Sequence, residues 1–312
     1  MKPEELKIVV DAGGAGRTLA SVLRAHAPIS HSLARGIVEA GLVRVRDRVV
    51  RDPAHRLNEG DDVLARFDPQ TRYRERPRPR GHGFRIVLED EHIVVVDKEP
   101  GVLTVPAPGR RQEALSDRLV HMYAERGVRS PKLWVVHRID RFTSGLVLFA
   151  RTPSAAETLV AQWVRRTTGR EYLALCEGIP SPAAGRLESR LDEGDATRKV
   201  RIAPRGGGGT VAICHYRIEE RLQGAALLRV TLETGRRNQI RVQFAGKGHP
   251  VIGDHAYGRP SPLIGRTALH AARLAFTHPA TGLAVRLESP LPDDMRLALR
   301  RLRRSGGKPV NP

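Results

Sequence analysis

Residues 135–151 run VVHRIDRFTSGLVLFAR, and this stretch decides the fold. One acid, Asp140, stands between Arg138 and Arg141, and the chain then turns through Thr143-Ser144-Gly145 into the apolar run Leu146–Ala150. A short apolar run bounded by turn residues marks a buried strand. The acid therefore lies on a turn between apolar strands. Flanking cations favour the charged form of a carboxyl group. An isolated acid among arginines serves structure as readily as chemistry, so its neighbours must decide.

Outward from this turn the elements are mixed. IVLED (86–90) and HIVVVDK (92–98) predict a hairpin joined at Asp90-Glu91. Thr152-Pro153 opens a helix to Arg166, with proline at the first helical position, where its missing N–H costs nothing. Strands follow at EYLALCE (171–177), VAICHYRI (211–218) and LLRVTLE (227–233). Alternation puts Tyr172, Ala174 and Cys176 on one face of the first. After a turn at Gly235, Ile240 and Phe244 share one helical stripe and Arg237 and Arg241 another. There is no βαβ alternation and no G-x-G-x-x-G, so the fold class is α+β rather than a nucleotide-binding fold. The glycines of PRGGGGTV (204–211) form a loop with no Lys-Ser/Thr behind it, which excludes a P-loop.

Residues 1–68 form a separate small unit. Leu19, Val22 and Leu23 have helical spacing, and Ser30 or Ser32 caps a second helix carrying Leu33, Ile37 and Val38 that Gly41 stops. Val43 and Val45 alternate with Arg44 and Arg46 in a strand, Asp47-Arg48 turns it into Val49-Val50, and Gly60-Asp61 leads to a last strand, Val63–Ala65. The unit has eleven basic and ten acidic residues, but six arginines crowd between Arg35 and Arg56. Residues 69–83, PQTRYRERPRPRGHG, carry five arginines and three prolines and form an extended linker.

The whole chain of 312 residues carries a formal charge of +19, which a fold does not require and which opposes compaction. A polyanion turns that cost into affinity, and nucleic acid is the expected partner. Aromatic residues make up only 4%, too few for an extended stacking surface. Cys176 and Cys214 fall in strands and are expected free and buried. The histidines lack metal-ligand spacing, so neither metal nor cofactor is expected. No apolar leader and no run of membrane-spanning length is visible, which predicts a cytoplasmic protein.

Taken together, the motifs resemble the RluA family of pseudouridine synthases. The signature H-R-[LI]-D-x-x-T-S-G-L stands here as His137-Arg138-Ile139-Asp140 followed by Thr143-Ser144-Gly145-Leu146. K-E-P-G (98–101), Arg170-Glu171-Tyr172, G-R-R-N-Q-I-R (235–241), Gly253-Asp254 and LHAARLAFTHP (269–279) follow in the family's order. Asn238 stands where histidine is commoner, and Glu99 where proline is frequent. Residues 15–68 resemble the S4 RNA-binding domain, although Arg46-Asp47 replaces its frequent Asn-Gly turn.

The resemblance implies a mixed or antiparallel-sheet catalytic domain over 84–300, an S4-like α/β RNA-binding domain over 1–68, and a basic, disordered tail over 301–312. It implies isomerisation of uridine within RNA, ribosomal RNA of the large subunit before tRNA, without cofactor; the oligomeric state is not readable from the sequence, and a monomer is the expectation. Asp140 is then the essential carboxylate, attacking C1′ or taking the C2′ proton. Tyr172 stacks on the base and assists removal of the C5 proton, and Arg241 pairs with Asp140. RNA contacts fall to Arg35, Arg44, Arg46, Arg138 and Arg237, with Arg138 filling the space of an extruded base. Two rivals exist. A non-catalytic RNA-binding or ribosome-assembly protein does not need the Asp140–Tyr172–Arg241 set. A nucleoside hydrolase commonly needs two carboxylates, and only one acid is embedded in the motifs.

Overall fold

The computed structural model describes residues 4–50, 52–67, 81–106, 113–194, 199–204 and 206–305. The chain divides into two compact units, residues 1–77 with 259–266 and residues 78–258 with 267–312. Most of the expected linker, 69–80, lies outside the described residues, as do residues 306–312.

The first unit contains β1 (Glu4–Val9), α1 (Leu19–His26), α2 (His31–Glu39), β2 (Val43–Val45), β3 (Arg48–Val50) and β4 (Asp62–Phe67). The Thr18 hydroxyl accepts from the Ser21 N–H and caps α1, and Ser30, not Ser32, caps α2 by accepting from the Leu33 N–H at 3.1 Å. Gly41, at φ +76°, stops α2. The strands form an antiparallel sheet in the order β1-β4-β2-β3. Ile8, Leu23, Ile37, Val43, Val63 and Phe67 fill the core beneath the helices.

Two expectations need correcting. β1 was not foreseen, because its EELKIV segment buries only Ile8. The hairpin turns at Arg46-Asp47, not Asp47-Arg48, since Val45 pairs with Arg48. Both turn residues have left-handed φ, 45° and 60°, the geometry that matches strand twist in a two-residue hairpin. The chain thus makes the turn usually given to Asn-Gly, and the Arg46 side chain is tied to buried Asp61 at 2.5 Å.

The second unit contains β5 (Phe84–Glu89), β6 (Ile93–Lys98), α3 (Leu115–Glu125), β7 (Trp134–Val135), β8 (Ser144–Ala150), α4 (Pro153–Val164), β9 (Gly169–Glu177), β10 (Ala184–Asp192), β11 (Arg201–Ile202), β12 (Thr210–Leu222), β13 (Ala225–Leu232), α5 (Gln239–Gly246), β14 (Leu269–Thr277), β15 (Ala284–Glu288) and α6 (Asp293–Ser305). Asp90 closes the β5–β6 hairpin by accepting from the N–H groups of His92 and Ile93. The Thr152 hydroxyl caps α4 at the Ala155 N–H. The expected tail is corrected over 301–305, where α6 continues. Its buried Met295, Ala298 and Leu299 anchor one face and carry the basic residues along.

One sheet runs through this unit in the order β11-β10-β12-β13-β9-β14-β8-β6-β5, with β15 beside β14 and β7 beside β8. Only the β14–β8 pairing is parallel among the described strands, so the class is α+β with a mixed sheet. β8 is buried along its whole length, and α4 covers it through Leu159 against Leu146, Leu148, Leu274 and Phe276.

Gly145 shows why the glycine of T-S-G-L is needed. It lies at φ +111°, and a Cβ there would overlap the backbone of Ala271 on β14. Gly145→Ala is expected to separate the two strands and cost about 3 kcal/mol. A denaturant midpoint equal to that of the parent would contradict this account.

Candidate active site

The turn that presents Asp140 is fixed from several directions. The Thr104 hydroxyl donates to the Ile139 carbonyl at 2.7 Å and accepts from the Ile139 N–H at 3.2 Å. Behind the acid, the Thr143 N–H donates to the Asp140 carbonyl, and buried Lys98 donates to the carbonyls of Glu99, Val102 and Arg141. His137 stacks on Trp163 at 4.9 Å, and its Nε2 accepts from the Leu148 N–H. Burial, helped by the Arg170 charge, brings the His137 pKa down to about 3, so the ring is neutral and can accept.

Sheet register brings the remaining motifs alongside. Lys98 pairs with Gly145, Gly145 with Ala271, and Ala271 with Tyr172. One transverse row therefore joins K-E-P-G, T-S-G-L, L-H-A-A and R-E-Y. Two strand spacings, roughly 10 Å, separate Tyr172 from Gly145 at the foot of the Asp140 turn.

Arg241 arrives from α5. Its Nη1 donates to Asp140 Oδ2 at 3.0 Å, while Nε and Nη2 grip Asp254 at 2.7 and 2.8 Å. Asp254 is fully buried and also accepts from the N–H groups of Ala256 and Tyr257. Burial works against both charges. It is outweighed by their mutual hydrogen bonds, which hold the Asp254 carboxyl below its ordinary range and, with the Asp140 charge, the Arg241 guanidinium above its own. The bidentate grip anchors the Nε–Nη2 edge of the guanidinium and leaves Nη1 for Asp140.

Asp140, Tyr172 and Arg241 line one cleft of about 290 Å³, close to the smallest usual ligand pockets. Arg138, Arg170 and Arg236 line it too, giving a cationic mouth around a single carboxylate. Burial pushes the Tyr172 phenol up to about 12, with Arg170 opposing and Asp140 reinforcing the shift. Among the described residues no group of His, Cys, Asp or Glu is arranged to hold a metal ion.

The expected RNA-contact residues are scattered. Arg138 is exposed at the rim of the cleft. Arg237 lies outside α5 because Asn238 takes a left-handed conformation before the helix starts, and the Arg237 side chain donates to the Glu193 carbonyl. Arg237 and Arg241 therefore share no helical stripe. Arg35, Arg44 and Arg46 lie on α2, β2 and the hairpin turn of the first unit, with Arg44 exposed beside Asp47 at 3.8 Å. Sequence reasoning missed Thr104, Lys98, Asn238 and Asp254 as site builders. Lys98, Asn238 and Asp254 all lie inside the family motifs, so the signal was present without a partner assigned to it.

Residues 92–246 match the family described as RNA pseudouridylate synthase. The chain belongs to the RNA pseudouridine synthases, isomerases that convert uridine to pseudouridine within RNA. Among its relatives is the ribosomal large subunit pseudouridine synthase D of Zymomonas mobilis, 33% identical over 302 residues, covering 92% of each chain. The protein of the same description from Haemophilus influenzae is 33% identical over 85% of this chain and 84% of its own. The fold is also that of human RNA pseudouridylate synthase domain containing 4, with a TM-score of 0.58 at 23% identity over 70% of this chain and 92% of the human one.

Proposed function

We propose that this isomerase acts on large-subunit ribosomal RNA, with Asp140 as its essential carboxylate. The observation that carries the site assignment is the Asp254–Arg241–Asp140 chain of hydrogen bonds ending in the cleft that Tyr172 lines. The ribosomal target rests on the relatives described as ribosomal large subunit pseudouridine synthase D. No described helix is long and apolar enough to cross a membrane, and we assign the enzyme to the cytoplasm as a monomer, with an S4-like first unit that adds grip on RNA through Arg35, Arg44 and Arg46.

In this reading the target uridine leaves its stack, which costs a few kcal/mol. The +19 chain offsets that cost through phosphate contacts. The C1′–N1 bond breaks, the uracil turns, C5 bonds to C1′, and the C5 proton is lost while N1 gains one. Asp140 either adds to C1′ or takes the C2′ proton. Both roles need a carboxylate held in place, and the Arg241 hydrogen bond at 3.0 Å holds it. Tyr172 stacks on the base as a neutral phenol, which its raised pKa maintains. To take the C5 proton it would first have to lose its own.

Chemical mapping of pseudouridine in total RNA, with and without the gene, tests the target; loss of sites confined to tRNA would refute the ribosomal assignment. Exposed Arg138, two residues before the acid, fills the place of the extruded base. Arg138→Ala is expected to weaken substrate capture about tenfold, corresponding to ~1.4 kcal/mol, with the larger effect in KM. Binding and turnover both equal to those of the parent would refute that role.

A further inference from the structure

The geometry points to Asn238 as a positioning residue that sets the tilt of the Arg241 guanidinium toward Asp140. This rests on the reading that Asp140 is the reacting carboxylate.

Asn238 precedes α5 at φ 55° and ψ 19°, in the left-handed region. An asparagine before a helix commonly accepts from a backbone N–H of the first turn. Here it makes no such cap. Its Oδ1 instead accepts from Arg241 Nη1 at 2.8 Å, and its Nδ2 donates to the Tyr257 hydroxyl at 3.2 Å. Nη1 is the same nitrogen that donates to Asp140. A guanidinium Nη1 has two hydrogens, so one is held by Asn238 and the other by the carboxylate.

The division of labour follows from planar geometry. Asp254 grips the Nε–Nη2 edge and fixes where the guanidinium sits, yet the group can still rock about that edge. Asn238 holds the opposite side. Tyr257 in turn holds Asn238 and lies beneath the cation, its ring centroid 5.1 Å from the Arg241 guanidinium carbon and 4.7 Å from Lys199 Nζ. Rocking at Nη1 moves Asp140, and misplacement of a reacting group by about 1 Å costs on the order of 10²-fold in rate. The backbone limits which residues can serve: the left-handed region favours glycine, asparagine, aspartate and histidine.

The test uses the chain of 312 residues and multiple-turnover release of tritium from C5-labelled uridine, on large-subunit RNA from cells lacking the enzyme. Asn238→Gly keeps the backbone conformation and removes only the side chain. It is expected to lower kcat about 10- to 100-fold while KM stays within about twofold and Tm is preserved. Asn238→His keeps both an acceptor and tolerance of left-handed φ, and is expected to recover most of the lost rate. Tyr257→Phe is expected to give a smaller loss in kcat, and the double variant with Asn238→Gly to be no slower than Asn238→Gly alone. A parental kcat in Asn238→Gly, or a loss that follows Tm or KM instead of kcat, would overturn the proposal. Asp140→Asn run in parallel separates the two readings. If it is inactive while Asn238→Gly is normal, only the positioning role fails; if it is active, the catalytic assignment fails first.

Discussion

Asp140→Asn is expected to slow tritium release from uracil C5 by at least about 10⁴-fold, the scale seen when a group at the centre of a covalent mechanism is removed. The substitution keeps the shape of the side chain, and its carbonyl oxygen can still accept from Arg241 Nη1, now 3.0 Å from Oδ2. Thr104, Lys98 and His137 hold the turn through backbone atoms, so they do not depend on the charge. Stability and RNA affinity should therefore stay near those of the parent, which a denaturant titration and a binding isotherm will report. Rearrangement at the parental rate would remove the basis of the mechanism.

Arg241→Met is expected to damage both chemistry and folding. Asp254, fully buried, would lose its bidentate partner, and an uncompensated buried charge costs about 3–5 kcal/mol. Turnover should fall on the order of 10²–10³-fold, because the preorganised cation beside Asp140 is gone. The pH dependence carries a sign. In the parent, the Asp254 carboxyl is held below its ordinary 3.8, so its contribution to stability is present above that value and is lost as pH falls through the lower folded value. In the variant, burial without the cation favours the protonated acid. The stability gap between the two proteins should then be widest near neutrality and narrow on acidification. A gap that is constant with pH would show that Asp254 is not the group responsible.

Much of this site was legible from spacing because its parts are local. Asp140 follows His137-Arg138 on a turn, Tyr172 alternates on a strand, and the β5–β6 hairpin and the start of α4 follow from Asp90-Glu91 and Thr152-Pro153. What escaped depends on backbone conformation or distant partners. The left-handed Asn238 delays α5 and removes Arg237 from the helix. The turn at Arg46-Asp47 needs two residues at positive φ, which Asp47 tolerates but Arg46 does not advertise. Thr104 meets Ile139 across 35 residues, and no periodicity records such an encounter. Asp254 was visible in its motif, but only the folded chain shows that its partner is Arg241.

The place of β14 has a consequence for synthesis. Strands β5 to β8 and strands β9 to β13 pair within two groups built from neighbouring stretches, and the path between the groups runs through β14 alone among the described strands. Asp140 belongs to the first group, Tyr172 and Arg241 to the second. On the ribosome, the chain must emerge through Leu269–Thr277 before that central strand can slot in and the two halves of the site can meet. Until then β9 exposes a bare edge and β8 an uncovered Ser144–Gly145 end, both open to mispairing. A chain cut short before Leu269 should therefore be both inert toward RNA and prone to aggregate, so that the ability to modify a nucleotide arrives only once β14 has been made.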